Sequence, residues 1–314
     1  MAWDPTTVTV VVNPAAQGGR IGRRWATLQP ALVGHLGPVT FVHTTAAGHA
    51  RTLAREAARA GARVVVSLGG DGTHGEVAAG LVEADVGATL GILHAGTGGD
   101  FRRLLKHSET LLSSAAALPT AVATVVDLGE VACTADDGSA HRRLFINLAS
   151  AGMSGLVDRL VNAGKKRLGG KLSFLWCTLK AFLKYTPARI RVVVDGEDKG
   201  EQPAFMLVVA NGRYAGGGMC FAPTAQLDDG QFDVLVLPGM SIWKALRVMP
   251  SLYRGRHLEK LGLALWRGRV VEAFSSDLAY MDVDGEAPGR LPATFTLRAA
   301  ALPLLGVDTE RLRG

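Results

Sequence analysis

Ten residues, Ser67-Leu68-Gly69-Gly70-Asp71-Gly72-Thr73-His74-Gly75-Glu76, constrain this chain more than any other stretch. They follow an apolar run of β character, Arg63-Val64-Val65-Val66, and open a helical pattern over Val77–Val82. A strand, a glycine turn and a helix start, with one carboxylate between glycines, describe a phosphate site. Backbone N–H groups can approach an anion where side chains are missing, and the helix dipole favours negative charge there. Asp71 would repel bare phosphate, which points to a Mg²⁺ ion or a water network beside it. Taken alone, the same residues also describe a tight strand-to-helix turn with Asp71 as its cap.

The surrounding pattern supplies a fold class. Up to about Asp127, strands and helices alternate: strands at Thr7–Val12, Val39–His43, Val64–Leu68 and Thr89–Leu93, a helical stretch through Trp25, Leu28 and Leu32, and a helix over Ala50–Ala60. Near-continuous apolar strands with short connections predict a parallel, doubly wound α/β domain. From Val122 the character changes to short β-type runs at Val122–Val131, Leu144–Ala149, Ile190–Val194, Phe205–Ala210, Phe232–Leu237, Val270–Phe274 and Phe295–Leu297. Turn residues separate many of them, which predicts a mainly antiparallel β domain. Helical insertions are expected near Leu168–Tyr185 and Ser241–His257.

Composition excludes several classes. With 314 residues, 48% hydrophobic and 20% charged, the chain is long enough for two domains or one large one and is not a disordered polymer. A net charge of +6 favours acidic partners such as nucleotide phosphates, anionic lipid or nucleic acid, although an arginine-rich compositional habit accounts for it equally well. Cys133, Cys177 and Cys220 are odd in number and widely spaced, as buried thiols in a reducing compartment would be. No secretory signal is visible at the N-terminus, and no apolar stretch approaches the ~18 residues of a membrane span. The expectation is a soluble cytoplasmic protein whose membrane contact, if any, is peripheral. Nucleic-acid binding finds no motif and ranks lowest.

Four loops follow successive strand ends of the first domain: Asn13–Gly19, Thr44–Gly48, Gly69–Thr73 and Gly96–Phe101. Open α/β sheets bind ligands at such ends, so four together make a nucleotide crevice the expected site. Neither the Walker pattern nor a Gly-x-Gly-x-x-Gly first turn is present.

The combination of Asn13-Pro14, Gly69–Thr73 with Glu76, Gly96-Thr97-Gly98 with Asp100-Phe101, and a late Asp284-Gly285-Glu286 resembles the soluble bacterial diacylglycerol kinase family, relatives of sphingosine and ceramide kinases. The resemblance runs in order over nearly the whole chain. It implies an NAD kinase-like α/β nucleotide domain over residues 1–127, a C-terminal β-sandwich lipid-substrate domain over 128–292, and a last segment, 293–314, returning to the first domain. It further implies ATP and Mg²⁺ as cofactors. The nucleotide contacts would fall on Asn13, Thr44, Gly69, Gly70, Asp71, Gly72, Thr73, Glu76, Gly96, Thr97 and Gly98. Asp71 would join a carboxylate–water–magnesium network that Asp100 and Asp127 could extend. A structural Mg²⁺ loop would take the Asp229 carboxylate with backbone carbonyls of Gln226 and Gln231, although Asp228-Asp229-Gly230 also reads as an ordinary hairpin turn. Glu286 is implied as the proton acceptor, with Asp284 sharing the work; Asp-Gly in a β domain also commonly marks a plain turn.

The implied activity is phosphoryl transfer from ATP to a lipid hydroxyl. Diacylglycerol stands first among acceptors, with sphingoid bases, ceramide and phosphatidylglycerol as alternatives. The chain departs from the family at Gly75 and Gly99, where relatives usually carry Asn, and near Ala16-Gln17, where they carry Ser-Gly. An idle nucleotide- or lipid-sensing protein is therefore a rival reading, as is an NAD kinase-like enzyme. His74 reads as a partly exposed helix residue. Two stretches interleave aromatic and cationic residues, Lys165–Lys184 and Ile242–Arg256, with Ile242, Leu246, Met249 and Tyr253 at helical spacing. Either would suit transient contact with an anionic membrane or simple core packing with a basic edge. The resemblance also allows a homodimer.

Overall fold

The computed structural model describes residues 3–308 except 97, 106–109, 164–177, 179 and 182–184. The chain divides into two compact units, Met1–Asp127 with Ala299–Gly314, and Leu128–Arg298.

The first unit alternates β1 (Val8–Val12), α1 (Ala16–Arg23), α2 (Trp25–Leu36), β2 (Thr40–His43), α3 (His49–Arg59), β3 (Val64–Gly69), α4 (Asp71–Ala84), β4 (Thr89–His94) and α5 (Leu111–Ala117). The strands lie parallel in the order β2-β1-β3-β4. Val10, Val11, Val12, Val65, Val66 and Leu68 are fully buried, as strands covered on both faces must be. β2 takes the edge, and its four residues are correspondingly half-exposed or exposed. Because β1 pairs with β2 on one side and β3 on the other, the strand order reverses there. The carboxyl ends of β1 and β3 therefore flank a topological switch point, the usual ligand crevice of such sheets.

α3 and α4 pack closely. Ala50, Ala54 and Ala58 line one buried face of α3. Opposite them, a Cβ on Gly80 would lie 2.2 Å from the Arg51 carbonyl oxygen, so only glycine permits this approach.

The second unit is antiparallel. β5 (Ala123–Thr134) enters it from the first unit and forms a hairpin with β6 (Ala140–Phe145). Then follow β7 (Leu148–Gly152), α6 (Met153–Ala163), β8 (Ala188–Val194), β9 (Glu197–Ala210), the short pair β10 (Tyr214–Ala215) and β11 (Met219–Cys220), and β12 (Phe232–Pro238). α7 (Ile242–Tyr253), α8 (His257–Leu261), β13 (Leu265–Gly268), β14 (Val270–Ser275), β15 (Met281–Val283) and β16 (Arg290–Leu305) complete it. The long β9 pairs with β8 along its first half and with β7 along its second, while β12 holds its other edge. Sharing one strand in this way gives the sandwich-like arrangement, around a core that includes Phe145, Phe232 and Phe295. Cys133 and Cys220 are buried free thiols; Cys177 lies outside the described residues.

Several sequence readings change. The run Leu144–Ala149 is two strands, not one, because the N–H groups of Ile146 and Asn147 donate to the Asp284 carboxylate instead of to a ladder. The insertion at Ser241–His257 is two helices, broken where Gly255 takes φ +68°. The insertion at Leu168–Tyr185 falls almost wholly outside the described residues. Residues 293–298 stay with the second unit, since Ala293–Thr296 pair with β14. The returning segment starts at Ala299, where the Ala300 N–H donates to Asp127 Oδ1 at 2.7 Å and Leu304 pairs with Leu90 in parallel. No helix among the described residues is long and apolar enough to cross a membrane.

Candidate active site

In the first unit, the carboxyl ends of β1 to β4 bring the expected nucleotide residues together. Asn13 follows β1, and its Nδ2 donates to Thr73 Oγ1 across the switch point at 3.0 Å. Thr73 is buried against Gly69, where a Cβ would come within 2.5 Å of Thr73 Oγ1. Gly69 must therefore lack a side chain for the turn to close. Thr44, at the end of β2, donates its N–H to Val12 O. Glu76 faces a different partner: its carboxylate accepts from the N–H groups of Gly48 and Ala50 at 2.8 and 3.1 Å. α3 has no side-chain cap of its own, so Glu76 caps it from α4 and fixes the loop that carries Thr44.

The glycine loops after β3 and β4 meet backbone to backbone. A Cβ on Gly96 would lie 3.0 Å from the Gly70 Cα, and one on Gly98 would lie 3.1 Å from Asp71 Oδ2. Asp71 sits in the first turn of α4 and accepts the Gly99 N–H on Oδ2 at 3.1 Å. Its other oxygen, Oδ1, is buried with no hydrogen bond and lies 3.9 Å from His94 Nδ1. Thr97 lies outside the described residues. Asp127, considered as an extension of this network, accepts the Ala300 N–H on Oδ1 at 2.7 Å.

Behind Asp71 stands a polar chain that the sequence did not reveal. His74 is 1% exposed, a correction to its reading as a partly exposed helix residue. Its Nδ1 is 2.8 Å from Ser67 Oγ and its Nε2 is 3.2 Å from His94 Nδ1. Gly96 N–H donates to His94 Nε2 at 3.1 Å, so that nitrogen is the acceptor. The His94 proton therefore resides on Nδ1 and points to His74 Nε2, which places the His74 proton on Nδ1, facing Ser67. Burial holds both imidazoles below their ordinary range, His74 strongly so, and both are neutral at pH 7. Asp71, His74 and His94 offer one ligand atom each within 4.8 Å. Metal on His94 Nδ1 would turn its Nε2 into a donor facing the Gly96 N–H. The observed bond favours the hydrogen-bonded pair.

In the second unit, Asp284 and Gly285 have φ of 51° and 84°, and Val283 and Glu286 exchange backbone hydrogen bonds across them. Two central residues at positive φ define the type I′ hairpin turn, for which Asp-Gly is a preferred pair. The turn reading and the functional reading thus describe the same residues. Asp284 accepts three peptide N–H bonds, from Ile146, Asn147 and Leu148, at 2.7, 3.1 and 3.0 Å. Burial pushes its carboxyl up to about 6, against the pull of those donors and of Arg143. It is an anchor that fastens the turn to the start of β7. Glu286 is the half-exposed member, ion-paired to Arg143 at 2.7 Å.

Two further carboxyls were not anticipated. Asp282 accepts the Gly285 N–H at 2.8 Å and interacts electrostatically with the carboxyl of Asp158 of α6, whose Oδ2 is buried without a hydrogen-bond partner. Two neighbouring carboxyls withdrawn from water favour a shared proton over two negative charges. Burial raises both carboxyls, Asp282 most. The Asp-x-Asp spacing of 282 and 284 was a usable signal; Asp158 offered none. Raised folded values mean that the native state binds more protons than the unfolded chain above about pH 4, so this pair's contribution is present in acid and lost as pH rises. Asp158→Asn is expected to flatten the decline in urea midpoint between about pH 5 and about pH 8. Parallel curves for variant and parent would remove the shared proton.

The segment Ala225–Gln231 lies between β11 and β12. Asp229 Oδ1 accepts the Gln231 N–H at 3.1 Å, and the Gly230 carbonyl accepts from Arg269 Nε at 3.1 Å. The donors expected there, one carboxylate and two peptide carbonyls, are oxygens of the kind a hard cation takes.

Two family descriptions match the chain in order: diacylglycerol kinase catalytic domain over residues 7–131, and YegS C-terminal NAD kinase beta sandwich-like domain over 147–306. A diacylglycerol kinase of Bacillus subtilis (strain 168) is 30% identical over 254 residues, 80% of either chain. A Pseudomonas syringae pv. syringae (strain B728a) protein named "Probable lipid kinase YegS-like" is 33% identical over 278 residues, 86% of this chain and 85% of its own. The crystal structure of a diacylglycerol kinase from Bacillus anthracis str. Sterne superposes with a TM-score of 0.70 over 96% of this chain and 97% of that one. At 20% identity this last likeness is one of fold. With both halves matched in sequence and in order, the chain belongs to the diacylglycerol kinase and YegS-like family of lipid kinases.

Proposed function

We propose that this lipid kinase moves the γ-phosphoryl group of ATP to a lipid hydroxyl, with diacylglycerol as the leading acceptor and phosphatidic acid as the product. The observation that carries this reading is Asp71 Oδ1, buried without a hydrogen bond in the first turn of α4, where the glycine loops after β3 and β4 meet beside the switch point. An oxygen in that state fits a cation or its water accompanying a triphosphate. Asn13, Thr44, Gly69–Thr73, Gly96 and Gly98 would offer the triphosphate short side chains and glycine backbone, and the α4 dipole favours its charge. Gln226, Asp229 and Gln231 would hold a second, structural ion. Magnesium bound with the nucleotide would neutralise phosphate charge.

The remaining chemistry belongs to side chains of the chain itself. Glu286, steered by Arg143, accepts the proton of the lipid hydroxyl as its oxygen attacks the γ-phosphorus. The bond from that phosphorus to ADP breaks, and ADP leaves. Asp284 holds the turn that presents Glu286. The enzyme would act from the cytoplasm, at the membrane surface where its acceptor resides.

Incubation with γ-labelled ATP and Mg²⁺, against diacylglycerol in mixed micelles or NAD, tests the reading. Label is expected in phosphatidic acid and lost when Mg²⁺ is chelated. Label in NADP, or in no lipid across a broad extract, would overturn it.

A further inference from the structure

We propose that α7 is a membrane-docking helix that lays one face on an anionic bilayer. Four of its apolar and aromatic residues, Trp243, Leu246, Pro250 and Tyr253, are exposed, with 76% of Trp243, 56% of Leu246 and 50% of Tyr253 open to solvent. At helical spacing they fall within an arc of about 80°. The opposite face is already occupied: Val248 is buried, and Leu252 packs against the core cluster containing Phe221 and Leu235. The exposed stripe therefore adds nothing to the folding of its own unit. This differs from the sequence reading of the stripe, which placed Met249 on it; Met249 is half-buried, and Trp243 and Pro250 take its place.

Charge identifies the occupant. Between Gly239 and Leu263 there are five bases and a single acid, Glu259. Lys244, Arg247, Arg254 and Arg256 are exposed, and none makes an ion pair among the described residues. Elsewhere in the same unit exposed Arg189 pairs with Glu201 and exposed Arg191 with Asp198. Lys260 donates to the Arg247 carbonyl at 2.9 Å, which brings a fifth cation to the flank of the helix. Arg247 and Arg254 border the stripe on one side by helical angle. An aromatic and aliphatic stripe edged by unmatched cations suits the boundary between acyl chains and anionic headgroups: Trp and Tyr favour that depth, and the bases meet phosphates. A second protein would also have to bring acids along the stripe's edge, and a second copy of this chain would set like charges against like.

Docking here extends the lipid-kinase reading by naming the surface on which the acceptor is met, and it rests on that reading for its purpose. Binding can be measured without turnover. The full chain is sedimented with phosphatidylcholine vesicles and with vesicles of phosphatidylcholine and phosphatidylglycerol. Parent protein is expected to partition at least about tenfold more strongly onto the anionic vesicles and to lose that preference in high salt. Trp243→Ala with Leu246→Ala, and separately Lys244→Glu with Arg247→Glu, are each expected to cut partition about tenfold or more. Far-ultraviolet spectra and urea midpoints check that each variant is folded. Phosphorylation of micelle-dispersed diacylglycerol is expected to persist in both variants while phosphorylation in vesicles falls. Equal binding of parent and folded variants, or no preference for anionic vesicles, would overturn the proposal. So would a parent dimer that either variant dissociates. Failure to phosphorylate any lipid, with vesicle binding intact, would defeat the kinase reading and leave the docking face standing.

Discussion

Asp71→Asn is expected to lower kcat/KM for ATP-dependent lipid phosphorylation by about a thousandfold or more while leaving the thermal midpoint near the parent value. The carboxylate has two separable jobs. Oδ2 accepts the Gly99 N–H and ties the loop after β4 to the start of α4. An asparagine oxygen can still take that bond. Oδ1 has no hydrogen bond in the folded protein, so replacing it removes no native contact, only charge. Loss of activity with retained stability would therefore assign the defect to chemistry at the phosphates. His94 adds a second readout, since its Nδ1 lies 3.9 Å from Asp71 Oδ1. Its ring signals should shift in the variant while those of His257, in the other unit, stay in place. An activity within about fivefold of the parent would remove Asp71 from the proposed mechanism.

Gly80→Ala should give the largest loss of stability, about 2–4 kcal/mol, read as a fall of roughly 5–15 °C in thermal midpoint. The new methyl would sit 2.2 Å from the Arg51 carbonyl oxygen and 3.0 Å from the Ala54 Cβ. The obstacle is backbone, so no rotamer change relieves it. α3 must move away, and the Glu76 bonds to Gly48 and Ala50 must lengthen, carrying Thr44 with them. Nucleotide affinity should therefore fall together with stability, although Gly80 itself lies nearly three helical turns from the phosphate loop by spacing. Gly34→Ala in α2 is the matched control. Nothing lies within 4 Å of its added methyl, and helical alanine is expected to stabilise by about 0.4–1 kcal/mol. Equal midpoints for the two variants would show that helix propensity, not packing, governs these glycines.

Certain parts of the protein were legible because their cause is local. The loop Gly69–Thr73 announces itself because a strand that turns sharply into a helix needs glycine there, and the Thr73 side chain packs where a Gly69 Cβ would be. Asp284-Gly285 was equally plain, since few residue pairs tolerate two successive positive φ values. Parallel strands of the first unit were visible as unbroken Val and Leu runs, because burial on both faces leaves no polar alternation.

Other parts were hidden because their cause is remote. Nothing near His94 says that it meets His74, twenty residues away. The register Gly69↔His94 between β3 and β4 brings that pair together. The break at Ile146 was invisible for the same reason, as its N–H is claimed by a carboxylate 138 residues later. The family resemblance implied Glu76 as a nucleotide contact; that its carboxylate also caps a helix 26 to 28 residues earlier in the chain is a product of helix packing. Gly99 shows both kinds of cause at once. Its φ of +66° is a local demand, while the nearness of His94 Nε2, 2.9 Å from where a Cβ would lie, comes from the fold.

By itself, then, the amino-acid order determined where the backbone turns, which segments are buried, and that an anion is to be met at the ends of parallel strands. Those properties depend on steric preference and hydrophobic period within a few residues. Only the tertiary structure decided which polar groups face each other: Asn13 with Thr73, His74 with His94, Glu76 with the N–H groups of Gly48 and Ala50, Asp284 with three peptide N–H groups. A hydrogen bond requires approach to about 3 Å, and for groups far apart in the chain that distance is set by strand register and helix packing.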